Sequence, residues 1–209
     1  MKKIFITIFL LLAATSYASQ NAITDTGEEV ILNSDGTWIY SDIAKKPANI
    51  IEINKNKFYK PSDSSFLLKS IKNNSAFWMN TDKWSFKKIK DNTSEGEYEF
   101  KLKDADLYGL AITEEIAIPL ESLADIVFEN VLSVAPDSKI IKKEYRVVNG
   151  KKVIYMEYIG TIQDVKFIYV GHYYSDASGS TQLVTYTGAN LLDKYKSEIN
   201  DFINGLDTQ

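Results

Sequence analysis

The sequence contains no cysteine and only one histidine, His172, among its 209 residues. Without thiols the chain forms no disulfide, and it cannot be a zinc finger, an iron–sulfur protein, a cysteine hydrolase or a thioredoxin-like redox protein. One imidazole is also too few for an all-histidine metal site. We therefore expect no metal centre and no cofactor, and a fold that relies on core packing alone.

An excess of positive charge is missing as well. The chain carries 24 Lys+Arg against 28 Asp+Glu, which gives a net charge of -4 at pH 7. Phosphate binding needs a basic surface, so we expect no nucleic acid as a partner. The 44% of hydrophobic residues argues against disorder. The length suits one domain of about 150 residues with a smaller unit beside it.

The first 18 residues have the organisation of a bacterial signal peptide. Two lysines precede the uncharged, largely apolar run Ile4–Ala14, and Ser16 and Ala18 are the small residues that a signal peptidase recognises. Cleavage is therefore predicted between Ala18 and Ser19. The alternative is an uncleaved N-terminal anchor, although the apolar run is too short to span a bilayer comfortably.

Cleavage at that position would leave a more acidic protein. It removes two lysines and no acidic residue, so 22 basic and 28 acidic residues remain and the net charge becomes -6. No cysteine follows the apolar run, which excludes a lipid anchor on cysteine. We predict a periplasmic or secreted protein with no stable membrane anchor after cleavage.

Residues 19–41 predict a small β-hairpin module. Two β-rich runs, Val30–Asn33 and Thr37–Ser41, flank Ser34-Asp35-Gly36, which is typical of a turn with positive φ. The pattern T-x-x-G-x-x-V-x-L-x-x-D-G-T-W-x-Y resembles a short module near the mature N-terminus of exported bacterial proteins. An isolated hairpin is only marginally stable, so we expect the aromatic residues of its second strand to dock on the main domain or on a partner.

The main domain is predicted over residues 50–209, after a linker at residues 42–49. Its first half is rich in extended apolar patterns, and Lys83–Ile89 is left open between strand and loop. The other predicted strands are Ile50–Asn54, Phe66–Ile71, Ala76–Met79, Glu97–Lys103 and Leu107–Thr113. A helix is predicted between Pro119 and Pro136, because apolar residues follow Leu120 at three- and four-residue spacing.

The second half predicts a β-meander and a terminal helix. Asn149-Gly150 and Gln163-Asp164 have the chemistry of two-residue hairpin turns. The strands around them are Ile140–Val148, Lys151–Ile162, Val165–Ser175 and, after a Ser/Gly loop, Thr181–Thr187. The last helix is predicted from an apolar stripe that runs from Leu191 to Leu206, with Asn190 and Asp193 capping its start and Gly205 its end.

This order of elements predicts an α+β fold in which an antiparallel β-sheet packs against helices. Several local segments have a familiar arrangement: Phe77-Trp78-Met79-Asn80 with Lys83-Trp84, Glu97-Tyr-Glu-Phe100, Asn149-Gly-Lys151, and Thr185-Tyr-Thr187 ahead of Asn190-Leu-Leu. With them, the layout from Phe66 to Leu206 resembles the PsbP-like superfamily, which includes photosystem accessory proteins and many exported bacterial proteins. The resemblance implies a PsbP-like α/β sandwich and a binding or accessory role without catalysis.

No phosphate-binding or hydrolase motif is present. Asp104 and Asp106 begin a stretch with the spacing of an EF-hand calcium loop. However, Tyr108 stands at a ligand position, and Leu107–Thr113 predicts a strand rather than a loop and helix. We therefore predict a tight turn there and no metal site.

The two predicted turns fix the register of the meander. The resulting cross-strand pairs are Val148–Lys151, Arg146–Val153, Glu144–Tyr155, Lys142–Glu157, Tyr155–His172, Val153–Tyr174 and Glu157–Val170. Alternation then predicts a core face that consists of Ile141, Tyr145, Val147, Ile154, Met156, Tyr158, Phe167, Tyr169 and Tyr173. The opposite, less apolar face gathers six residues that we call the Arg146 cluster: Glu144, Arg146, Tyr155, Glu157, His172 and Tyr174.

Three interpretations of the Arg146 cluster are open. It is a solvated sheet face with cross-strand charge pairs, or a binding site for a small polar or anionic ligand around the arginine, or an acid–base site of His172 and Glu144. The favoured function is an exported, non-catalytic accessory or ligand-binding protein whose partner is a protein or a small polar ligand. The alternative is a small hydrolase-type enzyme that uses His172 and Glu144.

Overall fold

The computed structural model describes residues 20–24, 29–32, 36–40, 51–90 and 96–209. The chain divides into two compact units, residues 1–50 and 51–209. The predicted signal peptide and the predicted linker lie outside the described residues, so both stay predictions. None of the helices in the described ranges combines the length and apolar character needed to cross a membrane.

The described part of the first unit is a three-stranded antiparallel sheet. Its strands are β1 (Gln20–Ile23), β2 (Glu29–Leu32) and β3 (Trp38–Tyr40), with β2 in the centre. The predicted hairpin is confirmed as β2 and β3, and Gly36 in the connection between them has a φ of 85°. β1 was not predicted, and it pairs with β2 from Ile23↔Glu29 to Gln20↔Leu32.

The part of the second unit that the structure describes, residues 51–90 and 96–209, contains two sheets and two α-helices. Its elements in chain order are β4 (Glu52–Phe58), β5 (Phe66–Lys69), β6 (Ser75–Met79), β7 (Trp84–Lys88), β8 (Tyr98–Leu102), β9 (Leu107–Glu114), α1 (Leu120–Val134), β10 (Lys139–Val148), β11 (Lys151–Ile162), β12 (Val165–Asp176), β13 (Gly179–Gly188), α2 (Leu192–Ile203) and β14 (Leu206–Thr208). The α+β class is therefore confirmed, and the segment left open at Lys83–Ile89 is a strand.

The large sheet has eight strands in the order β4-β10-β11-β12-β13-β9-β8-β7. All neighbours are antiparallel except β4, which lies parallel to β10 at one edge. Both predicted two-residue turns are present, because Val148 pairs with Lys151 and Ile162 pairs with Val165. The turn at residues 103–106 between β8 and β9 is tight, as predicted.

Each face of the large sheet is covered by a different helix. α1 packs on β11 and β12 through a buried cluster of Leu123, Ala124, Val127, Ile154, Met156, Tyr158, Tyr173 and Val184. α2 and the small sheet β14-β6-β5 cover the opposite face, and Phe77, Phe100, Leu183 and Phe202 belong to that larger core. Leu102, Val148 and Val170 also lie in this core. With one core under α1 and the other under α2, both faces are buried along the centre of the sheet.

The predicted division into a core face and a less apolar face is therefore wrong in two places. The face that carries the Arg146 cluster is mostly buried rather than solvated, with the end of α2 against His172. On the other face, Ile141 is 53% exposed and Val147 is 37% exposed. Both residues lie on β10, which α1 contacts through Lys143 and Tyr145, so the helix leaves Ile141 and Val147 partly uncovered.

The end of α2 also differs from the prediction. The helix ends at Ile203, and Leu206 begins β14, which pairs with Phe77 of β6. Gly205 permits this change of direction, because a Cβ atom there would lie 2.0 Å from the carbonyl oxygen of Trp78. At the start of the helix no side chain among the described residues caps α2, and a 3-10 turn at Ala189–Leu191 leads into it instead.

Asn149 does more than form the turn between β10 and β11. Its Nδ2 group donates to the carbonyl oxygens of Asn204 and Leu206, each at 2.8 Å, and its Oδ1 accepts from the backbone N–H of Lys60 at 2.9 Å. The side chain therefore joins the turn to the end of α2, the start of β14 and the segment after β4. This role has no local signal in the sequence.

Replacing Asn149 with glycine is expected to lower the free energy of unfolding by about 1–2 kcal/mol, since glycine tolerates the φ of 48° but loses three hydrogen bonds. Gln163→Gly is the matched control, because Gln163 has a φ of 50° and no side-chain hydrogen bond within the described ranges. Urea unfolding measures both. Equal stability of the two variants would show that the turn conformation alone matters.

Candidate functional site

The predicted register of the Arg146 cluster is confirmed. Glu144 pairs with Tyr155, Tyr155 pairs with His172, and Arg146 pairs with Val153. Glu144 and His172 thus lie on the same face of the sheet, separated by Tyr155. All six predicted residues belong to neighbouring strands, and the arrangement places the one arginine beside the one histidine of the chain.

Arg146 lies between two aromatic rings and beside a carboxylate. Its Cζ atom is 3.5 Å from the ring centroid of Tyr155 and 4.6 Å from that of Phe58. Its Nε donates to Oε1 of Glu144 at 2.6 Å, and both side chains are buried, at 7% and 5% exposure. The pair is a charge-assisted hydrogen bond enclosed by aromatic surface, which is the setting in which such bonds are strong.

Glu144 is held by two further donors. Asn54 Nδ2 donates to Oε1 at 3.0 Å, and Lys142 Nζ lies 3.1 Å from Oε2. Burial raises the pKa of Glu144, but the hydrogen bonds from Asn54, Arg146 and Lys142 outweigh it and leave the pKa below its ordinary value. The carboxylate is therefore charged at neutral pH and fully engaged.

His172 is completely buried. Its Nδ1 lies 2.9 Å from the carbonyl oxygen of Ile203 at the end of α2, so Nδ1 carries the proton. Burial lowers the pKa of His172 to about 3, against the smaller opposing effect of the Ile203 carbonyl. The imidazole is neutral at physiological pH. Its Nε2 and the Nη1 of Arg146 are buried with no hydrogen-bond partner in the described ranges.

The two tyrosines of the cluster pair with carboxylates on their own strands. Tyr155 donates to Glu157 at 2.9 Å and Tyr174 donates to Asp176 at 3.0 Å. Burial, followed by the neighbouring carboxylate, raises the pKa of both phenols, that of Tyr174 to about 12. The phenols therefore stay protonated and act as hydrogen-bond donors.

The Arg146 cluster is thus a largely buried polar network: His172 contacts the end of α2, Phe58 and Tyr155 flank Arg146, and Glu157 is only partly buried. Exposure is 4% for Glu144, 5% for Tyr155 and 9% for Tyr174. No group of three or more acidic or histidine side chains within the described ranges is arranged to hold a metal ion. Ligand binding by this cluster stays a prediction.

A second feature was missed in the sequence and lies on the opposite face of the sheet. Four tyrosines on four adjacent strands form a cross-strand stack, which we call the tyrosine ladder: Tyr158 (β11), Tyr169 (β12), Tyr186 (β13) and Tyr108 (β9). Their successive ring centroids are 4.9, 5.8 and 5.4 Å apart, with interplanar angles of 8°, 30° and 20°. α1 covers the Tyr158 end, where Phe128 meets Tyr158 edge to face at 6.1 Å.

The other end of the tyrosine ladder opens into a hollow of about 370 Å³ over β7, β8 and β9. The side chains of Ser85, Lys87, Glu99, Lys101, Tyr108 and Tyr186 share this face by register and line the hollow. Lys101 Nζ lies 5.4 Å from the ring centroid of Tyr108. The alternation of side chains along β11 and β12 predicts that Tyr158 and Tyr169 share a face. Their neighbours Tyr186 on β13 and Tyr108 on β9 join the row only through strand pairing that is distant in the sequence.

Comparison with solved structures identifies the fold. The solution structure of cyanobacterial PsbP (CyanoP) from Synechocystis sp. PCC 6803 matches with a TM-score of 0.53 and 13% identity, over 71% of this chain and 95% of that chain. The chain therefore has a PsbP-like α+β fold.

Two further structures are similar at lower scores. A protein of unknown function from Pseudomonas aeruginosa matches with a TM-score of 0.45 and 9% identity, over 69% of this chain and 96% of that chain. A protein from Bacteroides thetaiotaomicron VPI-5482 matches with 0.46 and 11%, over 70% of this chain and 49% of that chain. No protein-family model and no curated protein matches the sequence.

Proposed function

We propose that this protein is an exported, non-catalytic accessory protein that acts by binding a ligand or partner. The observation that carries the proposal is the open half of the large sheet, where a hollow with aromatic and charged walls lies beside the end of the tyrosine ladder. Concave surfaces with a few convergent polar groups are the usual form of ligand sites. The PsbP-like fold, which the superfamily uses for accessory roles, supports the same proposal.

The alternative hydrolase finds no support in the geometry. His172 is enclosed, and its protonated nitrogen is engaged by the Ile203 carbonyl rather than by Glu144. The Glu144 carboxylate accepts from Asn54, Arg146 and Lys142. A general base must reach a substrate proton directly or through one water, and neither group faces the open side of the sheet.

Export is supported by the n-region, the apolar run and the small residues before Ser19. The full chain with a C-terminal tag, expressed in a Gram-negative bacterium, is expected in the periplasmic fraction or the medium with Ser19 as its first residue. The control is a chain that starts at Ser19 after an initiator methionine, which is expected to stay in the cytoplasm. Full-length protein in the cytoplasm or membrane with residues 1–18 attached would contradict export.

A further inference from the structure

The tyrosine ladder stops two strands short of the edge of the sheet. In register, its row continues from Tyr108 to Lys101 on β8 and then to Ser85 on β7. Neither residue has a ring, and the hollow of about 370 Å³ lies where further rings would stack. Tyr108 is packed against Tyr186 on one side, at 5.4 Å, so its other side faces Lys101 and the hollow.

The charges around the hollow leave one cation unmatched. Lys87 Nζ pairs with Glu99 at 2.8 Å, and these two charges compensate each other. Lys101 forms no ion pair with any residue that the structure describes, and its ammonium lies over the Tyr108 ring. The walls therefore offer an aromatic ring and a cation within one open concavity, while the Ser85 hydroxyl donates to the carbonyl oxygen of Lys101 at 3.2 Å.

We propose that this hollow binds a small planar ring compound that carries one anionic group, such as an aromatic carboxylate. The Lys101 side chain leaves the face of Tyr108, the ligand ring stacks there as the next member of the tyrosine ladder, and the anion pairs with the displaced Lys101 ammonium. Offset stacking of aromatic rings and a charge-assisted bond to an ammonium are both favourable in a partly enclosed site. The proposal rests on the proposed binding role and names the ligand class and the site.

Three features favour this occupant over others. The volume lies within the range of about 300–1,000 Å³ that is usual for small-molecule pockets. A cationic ring compound would meet the unmatched charge of Lys101. A neutral sugar ring would stack on Tyr108 but would leave that ammonium without a counter-charge.

The test uses 2-naphthoate as the probe and isothermal titration calorimetry with amide chemical-shift mapping as the readouts. Saturable binding is expected, with shifts concentrated on β7, β8 and β9. Lys101→Gln is expected to weaken binding by about tenfold through loss of the charge-assisted bond. Ser85→Trp is expected to abolish binding, because the indole fills the hollow in the row of the ladder.

Two control variants make the same kinds of substitution, Lys to Gln and Ser to Trp, at positions away from the hollow. Lys152→Gln removes a lysine that lies 3.9 Å from the ring of Tyr145, far from the hollow, and Ser133→Trp adds an indole on the exposed end of α1. Both are expected to bind 2-naphthoate as the unmodified protein does. Near-ultraviolet circular dichroism of every variant confirms that the fold is retained.

Several results would overturn the proposal. They are the absence of 2-naphthoate binding, binding that persists in Ser85→Trp, and cellobiose or neutral 2-naphthol binding as tightly as 2-naphthoate. Failure of the ligand class is distinguishable from failure of the proposed function, because fractionation and N-terminal sequencing test export without any ligand.

Discussion

Arg146→Ala is expected to lower the free energy of unfolding by about 3–5 kcal/mol, which is the usual cost of removing one partner from a buried ion pair. The reason is specific to this site. The alanine leaves the buried Glu144 carboxylate without its bond of 2.6 Å and leaves a void between the rings of Phe58 and Tyr155. Chemical denaturation at pH 7 measures the loss.

Lys142→Ala is the matched control, because Lys142 contacts the same carboxylate from solvent with 47% of its side chain exposed. Its removal is expected to cost no more than about 1 kcal/mol. A double variant, Glu144→Leu with Arg146→Met, is expected to recover most of the stability that Arg146→Ala loses, since it removes both buried charges together. Similar losses for Arg146→Ala and Lys142→Ala would show that burial does not set the strength of this pair.

Acidification from pH 7 to 5 is expected to lower the free energy of unfolding by about 2 kcal/mol through His172 alone. In the unfolded chain the histidine binds its proton near the ordinary pKa of 6.5, whereas burial holds the pKa in the folded protein at about 3. The unfolded state therefore binds more protons below pH 6.5. The stability from this residue is fully present above that pH and is lost as the pH falls toward 3, at about 1.4 kcal/mol per pH unit.

His172→Gln serves as the control for this pH dependence. Glutamine retains a side-chain N–H that can donate to the Ile203 carbonyl but does not titrate, and the chain has no second histidine. The variant is expected to be nearly insensitive to pH between 7 and 5, whatever its absolute stability. Equilibrium unfolding at half-unit intervals of pH gives the comparison. An equal slope in both proteins would mean that His172 is accessible to protons in the folded state.

Much of the fold is encoded in local patterns. The two-residue turns at Asn149-Gly150 and Gln163-Asp164 set the register of β10, β11 and β12, because a two-residue loop permits only one pairing of the flanking strands. The limits of α1 follow equally from Pro119 and Pro136 and the apolar spacing between them. The composition of the Arg146 cluster was predictable for the same reason.

What the Arg146 cluster does was not predictable from these patterns. Alternation separates two faces of a strand, but it does not say whether a helix will cover the more polar one. Here the end of α2 returns over His172, and Phe58 and Tyr155 enclose Arg146, so both residues are buried rather than in solvent. A strand face with alternating charged and aromatic residues shows the same sequence pattern whether a helix covers it or solvent does.

By itself, then, the sequence determined most strands of the second unit, the two-residue turns and the meander register, since each depends on residues that are close along the chain. Only the tertiary structure decided which faces are buried and where β14 lies, because these depend on where α2 and the chain end return. It also decided that Tyr108 stacks on Tyr186, which requires pairing between strands separated by α1 and three other strands. Because the chain has no cysteine, no disulfide adds to these long-range contacts, and non-covalent packing holds the second unit together.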